Sequence, residues 1–309
     1  MAESLSPALD KTGKGPVRKP QWASVAAWFT RHGRTSKRLQ TGDILALAFL
    51  LVLAAAIVVP GWLTPYDPLL PDPSATLLAP SWQHPFGTDY LGRDLLSRVL
   101  FGTGRTLAGS LVAVLIGLGV GIVLGLAAAY FGGWIDALVG RAMDVLLSIP
   151  GLLLSMVIVV SLGFGAINAA IAVGVSSVAV FTRLIRSEVL TIKELGYVEA
   201  SRHLGQTKWQ VLRRHVLPNS YSAVFTLAAL QFGSAILWIA SLSFLGYGAP
   251  PPQPEWGLLV AEGREYVVSS PWMVLLPGLV IIVTVVAIGR ASRLPVSYTH
   301  LTLPTIYSV

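Results

Sequence analysis

An all-α membrane protein with about six transmembrane helices is the fold class this sequence predicts, and three observations carry it. Hydrophobic side chains make up 54% of the 309 residues and charged ones only 12%. The mean hydropathy is +0.68. A soluble domain of this size would lack the charge needed to cover its surface. The apolar residues also fall into runs of about 20, long enough for a helix to cross roughly 30 Å of hydrocarbon. Finally, Lys and Arg crowd the segments between particular runs, as they do beside the membrane on its inner face.

In chain order, residues 1–40 read as a basic, Pro- and Ser-containing arm on the cytoplasmic side, with no cleavable signal peptide expected before the first apolar run. Within it, Trp22 to His32 can form an interfacial helix with Trp22, Trp28 and Phe29 on its apolar face, or serve as a solvated tether. Residues 41–290 form the transmembrane region, with candidate spans at 44–60, 107–131, 142–163, 166–186, 221–245 and 272–290. The third and fourth are kept apart by the turn residues Gly163, Gly165 and Asn168.

In the second span, Ala113, Gly117, Gly121, Gly125 and Ala129 recur every four residues, a stripe that lets helices approach closely and is expected to serve packing within the chain. Pro150 and Pro277 should kink the third and sixth spans. Lys11, Lys14, Arg18, Lys19, Arg31, Arg34, Lys37 and Arg38 all precede the first span, which places the amino terminus inside. Counting from there puts loop 61–106 and loop 246–271 outside and loop 187–220 inside. The inner loop and the span end before it carry Arg183, Arg186, Lys193, Arg202, Lys208, Arg213 and Arg214, while Glu255, Glu262 and Glu265 lie in the last outer loop.

These assignments exclude several function classes. The formal charge of +7 follows the topology and has no aromatic-interleaved patch beside it, so nucleic acid is not an expected partner. There are no cysteines, which removes disulfides and thiolate metal sites. No ionisable residue falls at mid-span to hold a coupling ion, which disfavours a stand-alone channel or secondary transporter. Arg141 and Asp144 are spaced for a pair within one helix. The chain has no G-x-S-x-G, H-E-x-x-H or phosphate-loop motif, and the run from Gly102 to Thr106 lacks the phosphate-loop lysine. A membrane-embedded enzyme therefore has no support. No catalytic residue, metal or bound cofactor is expected, and energy for uphill transport must come from another chain.

The most informative segment interrupts this apolar chain after the fourth span. Leu195 to Gly205 can form a short helix, Gly205 permits a reversal, and a second amphipathic helix leads to Pro218. Glu199, Ala200, Ser201 and Gly205, followed at fixed distance by Leu217 and Pro218, resemble the coupling loop of ABC importer permeases, with Ser201 in place of a second Ala. A second block, His84, Pro85, Phe86, Gly87, Thr88, Asp89, Tyr90, Leu91, Gly92, Arg93 and Asp94, is similar to the segment before the second span in dipeptide, oligopeptide and nickel importer permeases. His215 to Asn219, Ser243 to Gly248, Pro251, Pro252, Trp256 and Gly257 match the same branch. The likeness covers residues 44–287.

The resemblance implies an ABC importer type I permease fold in the bacterial cytoplasmic membrane, and the second of two related permease subunits. It implies two cytoplasmic ATPase subunits as partners, which bind ATP and Mg, and an external substrate-binding protein. Peptides are the implied cargo, with nickel as the alternative. His215 and Asn219 belong to the coupling loop on this reading. His84, Gly87, Thr88, Asp89, Gly92, Arg93 and Asp94 read as a folded cap with local salt bridges among Arg93, Asp94 and Arg98, in preference to a ligand site. Residues 291–309 depart from the branch, and Val296 to Val309 read as foreign or frame-shifted sequence without a function.

Overall fold

A computed structural model describes residues 40–292. The Trp22–His32 helix and the tail from Val296 lie outside the described residues. Helix α1 (Thr41–Val58) is apolar on all sides, and only 17% of its most apolar window is buried within the chain, so its surface suits lipid. After a turn at Pro60–Leu63 and an irregular segment, α2 (Leu95–Phe131) runs for 37 residues. At about 55 Å it is far longer than a bilayer core requires. Its first turns belong to the cap built by the preceding loop, and Asp94 caps it by accepting from the Ser97 N–H.

The third expected span, 142–163, is not one continuous helix. The chain forms α3 (Gly133–Ser148) and α4 (Gly151–Leu162), bent by 93° at the break. Proline drives the residue before it out of the helical region, and Ile149 is accordingly extended. Pro150 thus ends one helix and starts the next where a kink was expected. With 12 residues, α4 is too short to cross alone. Helix α5 (Ala166–Lys193) follows, then the short α6 (Gly196–His203). Single helical and π-helical turns at Lys208–Val211 and Leu212–Val216 lead into α7 (Leu217–Phe244). The last elements are α8 (Trp256–Gly263) and α9 (Trp272–Ala291), with Pro277 buried inside α9. Among the described residues, five helices are long and apolar enough to span, or six if the bent pair counts as one.

The centre of the bundle is the α2–α5 pair. Ala113, Gly117, Gly121, Gly125 and Ala129 are all buried and face Gly174, Ser177, Phe181, Thr182 and Ile185. A methyl group on Gly121 would stand 2.5 Å from the Phe181 Cβ, closer than atoms can pack. Gly174 returns the fit, since a Cβ there would lie 2.9 Å from the Ala113 carbonyl oxygen. The small-residue stripe is therefore occupied within the chain. Around it, Val173, Phe181, Ile185, Val189 and Leu242 form a continuous apolar core.

Candidate functional site

The loop between α5 and α7 is built from local signals. Val198 is fully buried and anchors α6, while Glu199 and Ala200 face outward. Gly205 has φ +89°, a left-handed value that a side chain resists, and the Gln206 N–H reaches back to the Ser201 carbonyl at 3.2 Å. The next turn starts with a capping box: the Thr207 N–H donates to Gln210 Oε1 at 2.9 Å, and the Gln210 N–H donates to Thr207 Oγ1 at 3.3 Å. The π turn ends with the Leu217 N–H bonded to the Leu212 carbonyl, and Pro218, which has no N–H to donate, occupies the first turn of α7. The second amphipathic helix expected before Pro218 is thus a short lead-in continuous with the span.

This fold brings together some of the residues singled out above and separates others. Ser201 Oγ and His215 Nε2 lie 3.3 Å apart, and the Asn219 amide donates to the His215 carbonyl at 2.6 Å and to the Tyr197 hydroxyl at 3.0 Å. The rings of Tyr197 and His215 meet edge to face at 5.7 Å. Leu217 and Pro218 stand exposed on α7's first turn. Among the described residues Glu199 reaches His203, at 4.0 Å with both side chains largely in solvent, a pair of little energetic weight. Leu204 is 86% exposed and Trp209 60% exposed. Trp209, Gln210, Arg213 and Arg214 line an open cleft of about 470 Å³. Exposed apolar side chains beside arginines on a polar loop make a surface suited to a protein partner.

The loop's inner face is held differently. Val211, Leu212 and Val216 are buried and border, with Ala129, Tyr130, Val189 and Leu190, a cavity of about 270 Å³. Lys193 donates to the Ala129 carbonyl near the end of α2, a cation at a helix carboxyl terminus. Arg186 holds Asp136 of α3 in a bidentate pair. Asp144 pairs with Arg183 of α5 at 2.7 Å and not with Arg141, because the inter-helix partner is better placed than the neighbour on the same helix.

At the other end of the bundle, the block from His84 to Asp94 is a folded cap. Asp89 Oδ2 accepts from Arg93 Nε and from Arg98 Nη1, each at 2.7 Å, and Arg98 Nη1 also reaches Glu262 at 2.6 Å. Arg98 is completely buried. Asp94 joins none of these arginines, contrary to the local pairing expected: it accepts from the Ser97 N–H and hydroxyl and from His84 Nδ1. A carboxylate at an N-cap is better satisfied by the free N–H groups of the helix than by a guanidinium already shared by two acids. Thr88 donates to the Ala75 carbonyl and accepts from the Leu78 N–H. Gly92 has φ +77° and lies against the Asp72 backbone, leaving no room for a Cβ, and a Cβ on Gly87 would meet the Leu78 carbonyl and the Trp272 ring. Trp272 Nε1 donates to the Thr88 carbonyl.

Residues 121–294 match the family described as binding-protein-dependent transport system inner membrane component. The chain is 40% identical over 245 residues, 79% of its length and 81% of the relative's, to the glutathione transport system permease protein GsiD of Pectobacterium atrosepticum. It is 36% identical over 285 residues, 92% of both chains, to the dipeptide transport system permease protein DppC of Alkalihalophilus pseudofirmus. The chain belongs to the binding-protein-dependent importer permeases. Among solved structures, the permease fold is shared with an inward-facing conformation of the MetNI methionine ABC transporter, at TM-score 0.56 and 20% identity over 65% of this chain and 95% of that one. An amino acid ABC transporter gives TM-score 0.54 at 17% identity, over 65% of this chain and 94% of that one.

Several contacts that shape the permease went unread in the sequence. The Thr207–Gln210 capping box carries its own signature and could have been found. Glu262 lies 164 residues from Arg98, and no local pattern joins them. Glu255 is buried at the start of α8, where its carboxyl accepts from the Gly257 and Leu258 N–H groups, with the Thr106 hydroxyl 3.4 Å away. Burial pushes its pKa up, against the downward pull of those hydrogen bonds. Gly257, one of the branch residues, gives α8 its close approach, since a Cβ there would stand 2.5 Å from the Ala240 carbonyl oxygen. Trp256, wholly buried, donates from Nε1 to the Val99 carbonyl at 2.9 Å. Among the described residues, no group of three His, Asp or Glu is arranged to hold a metal.

Proposed function

We propose that this permease imports peptides as one of two related membrane subunits, and that its α5–α7 loop docks on a cytoplasmic ATPase. The observation that carries the docking is the exposed face of that loop: Glu199, Leu204 and Trp209 project from a scaffold whose opposite face is buried in the α2–α5 core. On this reading two ATPase subunits bind ATP and Mg, an external binding protein delivers cargo, and this chain hydrolyses nothing. The amino terminus lies in the cytoplasm, in keeping with the basic residues before α1 and in the docking loop. The cap at the far end then faces outward. Peptide cargo is supported by relatives named for dipeptide and glutathione transport. Nickel is not favoured.

The test is site-specific photocrosslinking from position 204 in membranes holding the assembled complex. A product containing an ATPase subunit is expected; its absence from an assembled complex would defeat the docking. Uptake of labelled dipeptide, glutathione and nickel into vesicles holding the complex separates the cargoes, with uptake of neither peptide counting against the peptide reading.

A further inference from the structure

Helix α6 is attached to the rest of the permease at few points. Among its described side chains only Val198 is buried, and the segment is eight residues long. Motion imposed on its outer face must therefore leave through specific contacts. Toward α5 the connection is a short backbone turn, in which the Val198 and Glu199 N–H groups both bond to the Leu195 carbonyl. Toward α7 it is a set of side chains. Tyr197 and Ser201, four residues apart on one face of α6, meet His215 and Asn219, which straddle the junction where the π turn becomes α7.

That junction would otherwise be a soft point. Pro218 cannot donate to the carbonyl four residues back, and the π turn widens the ladder just before it. Beside this point the Asn219 amide makes two bonds, one to the His215 carbonyl inside the turn and one to the Tyr197 hydroxyl on α6. One side chain thus stiffens the base of a span and fastens the docking helix to it. An Asn side chain that donates to a carbonyl four residues back is tied to the local backbone instead of to solvent.

We propose that Tyr197, Asn219 and His215 form a clasp that makes α6 and α7 move as one body, so that the displacement of the docking helix passes to α7. The inference rests on the docking reading above. Tyr197 and Asn219 are positioning residues, since neither is required to touch nucleotide or cargo.

The chain has no cysteine, so pairs of engineered cysteines can carry spin labels without background. Labels at His203, an exposed residue of α6, and at Phe225, an exposed residue of α7, report the α6–α7 distance in the complete complex with and without nucleotide. With the clasp intact, the distance distribution is expected to stay narrow and unshifted when nucleotide is added. Tyr197→Phe, which keeps the ring and removes only the hydroxyl, and Asn219→Ala should each broaden it, and the double variant should add nothing beyond the larger single effect. Labelled dipeptide carried per ATP hydrolysed should fall about fivefold in each, the size expected for one lost hydrogen bond acting on coupling. Wild-type distances and ratios in both variants, or additive effects in the double, would overturn the clasp. A wild-type complex that gives no ATPase cross-link from position 204 overturns the docking reading itself, and that result is read before any variant is made.

Discussion

At the cap end of the bundle, the buried Asp89, Arg93 and Arg98 and the half-buried Glu262 are bonded to one another, while at the loop end Glu199, Leu204, Trp209 and Arg213 stand in solvent. Both ends are rich in charge, yet the charges differ in what they are for. Buried ions cost several kcal/mol each to desolvate and persist only when they hold one another in place. The cap's charges join the first loop to α8 across the sequence, and so fix structure. Exposed ions cost almost nothing to keep, contribute little to folding and remain available to a partner. The contrast separates charge that fixes structure from charge left accessible, and exposure, not residue type, divides the two.

Five substitutions sharpen or break this contrast, and the largest effect is expected in the cap. Arg98→Ala takes from Asp89 and Glu262 the closer-bound of the two arginines that bridge them, leaving only Arg93, and should destabilise the permease by about 3–5 kcal/mol, read as a fall in thermal unfolding temperature in detergent. A loss below about 1 kcal/mol would mean that the cluster is hydrated and resembles the loop end after all. Between the two ends, Gly121→Leu should cost about 1–3 kcal/mol or more by forcing α2 from α5. Gly119→Leu, with nothing within 4 Å of its Cβ, is the control and should be tolerated.

A smaller effect depends on pH. Burial raises the Glu255 pKa above the ordinary 4.5, so the folded chain holds that proton more tightly than the unfolded one. Its contribution to stability is then full below 4.5 and lost as pH rises through the folded value. The wild type should therefore gain stability on acidification through that window, and Glu255→Gln, which keeps an oxygen for the helix N–H groups, should flatten the dependence. Parallel curves for the two chains would show that Glu255 is not strained by burial. The smallest effect on folding is expected at the loop: Glu199→Lys should alter stability by no more than about 0.5 kcal/mol, while lowering substrate-stimulated ATP hydrolysis in the assembled complex. Normal stimulation would remove Glu199 from the docking surface.

Apolar run length and basic-residue placement were enough to locate α1, α2, α5, α7 and α9, because each must satisfy its backbone within one helix in a solvent that offers no hydrogen bonds. The third span was misread as continuous because composition registers Pro150 only as a local defect. Whether a helix bends or breaks there depends on how Ile149 and the following turn pack. Ser201, His215 and Asn219 stood out as one motif, yet their meeting with Tyr197 could not be anticipated, since hydrogen bonds between residues 22 apart depend on where the Gly205 reversal returns the chain.

What the sequence alone determined is therefore the solvent, the number of crossings within one, the small-residue stripe of α2 and the reversal at Gly205, all of which follow from local hydropathy, residue size and backbone freedom. Only the tertiary structure decided which charges are buried and with whom. Arg98 finds Glu262, Asp144 finds Arg183 in preference to Arg141, and Asp94 turns to a helix end, because electrostatic pairing is settled by distance in space after the helices have packed.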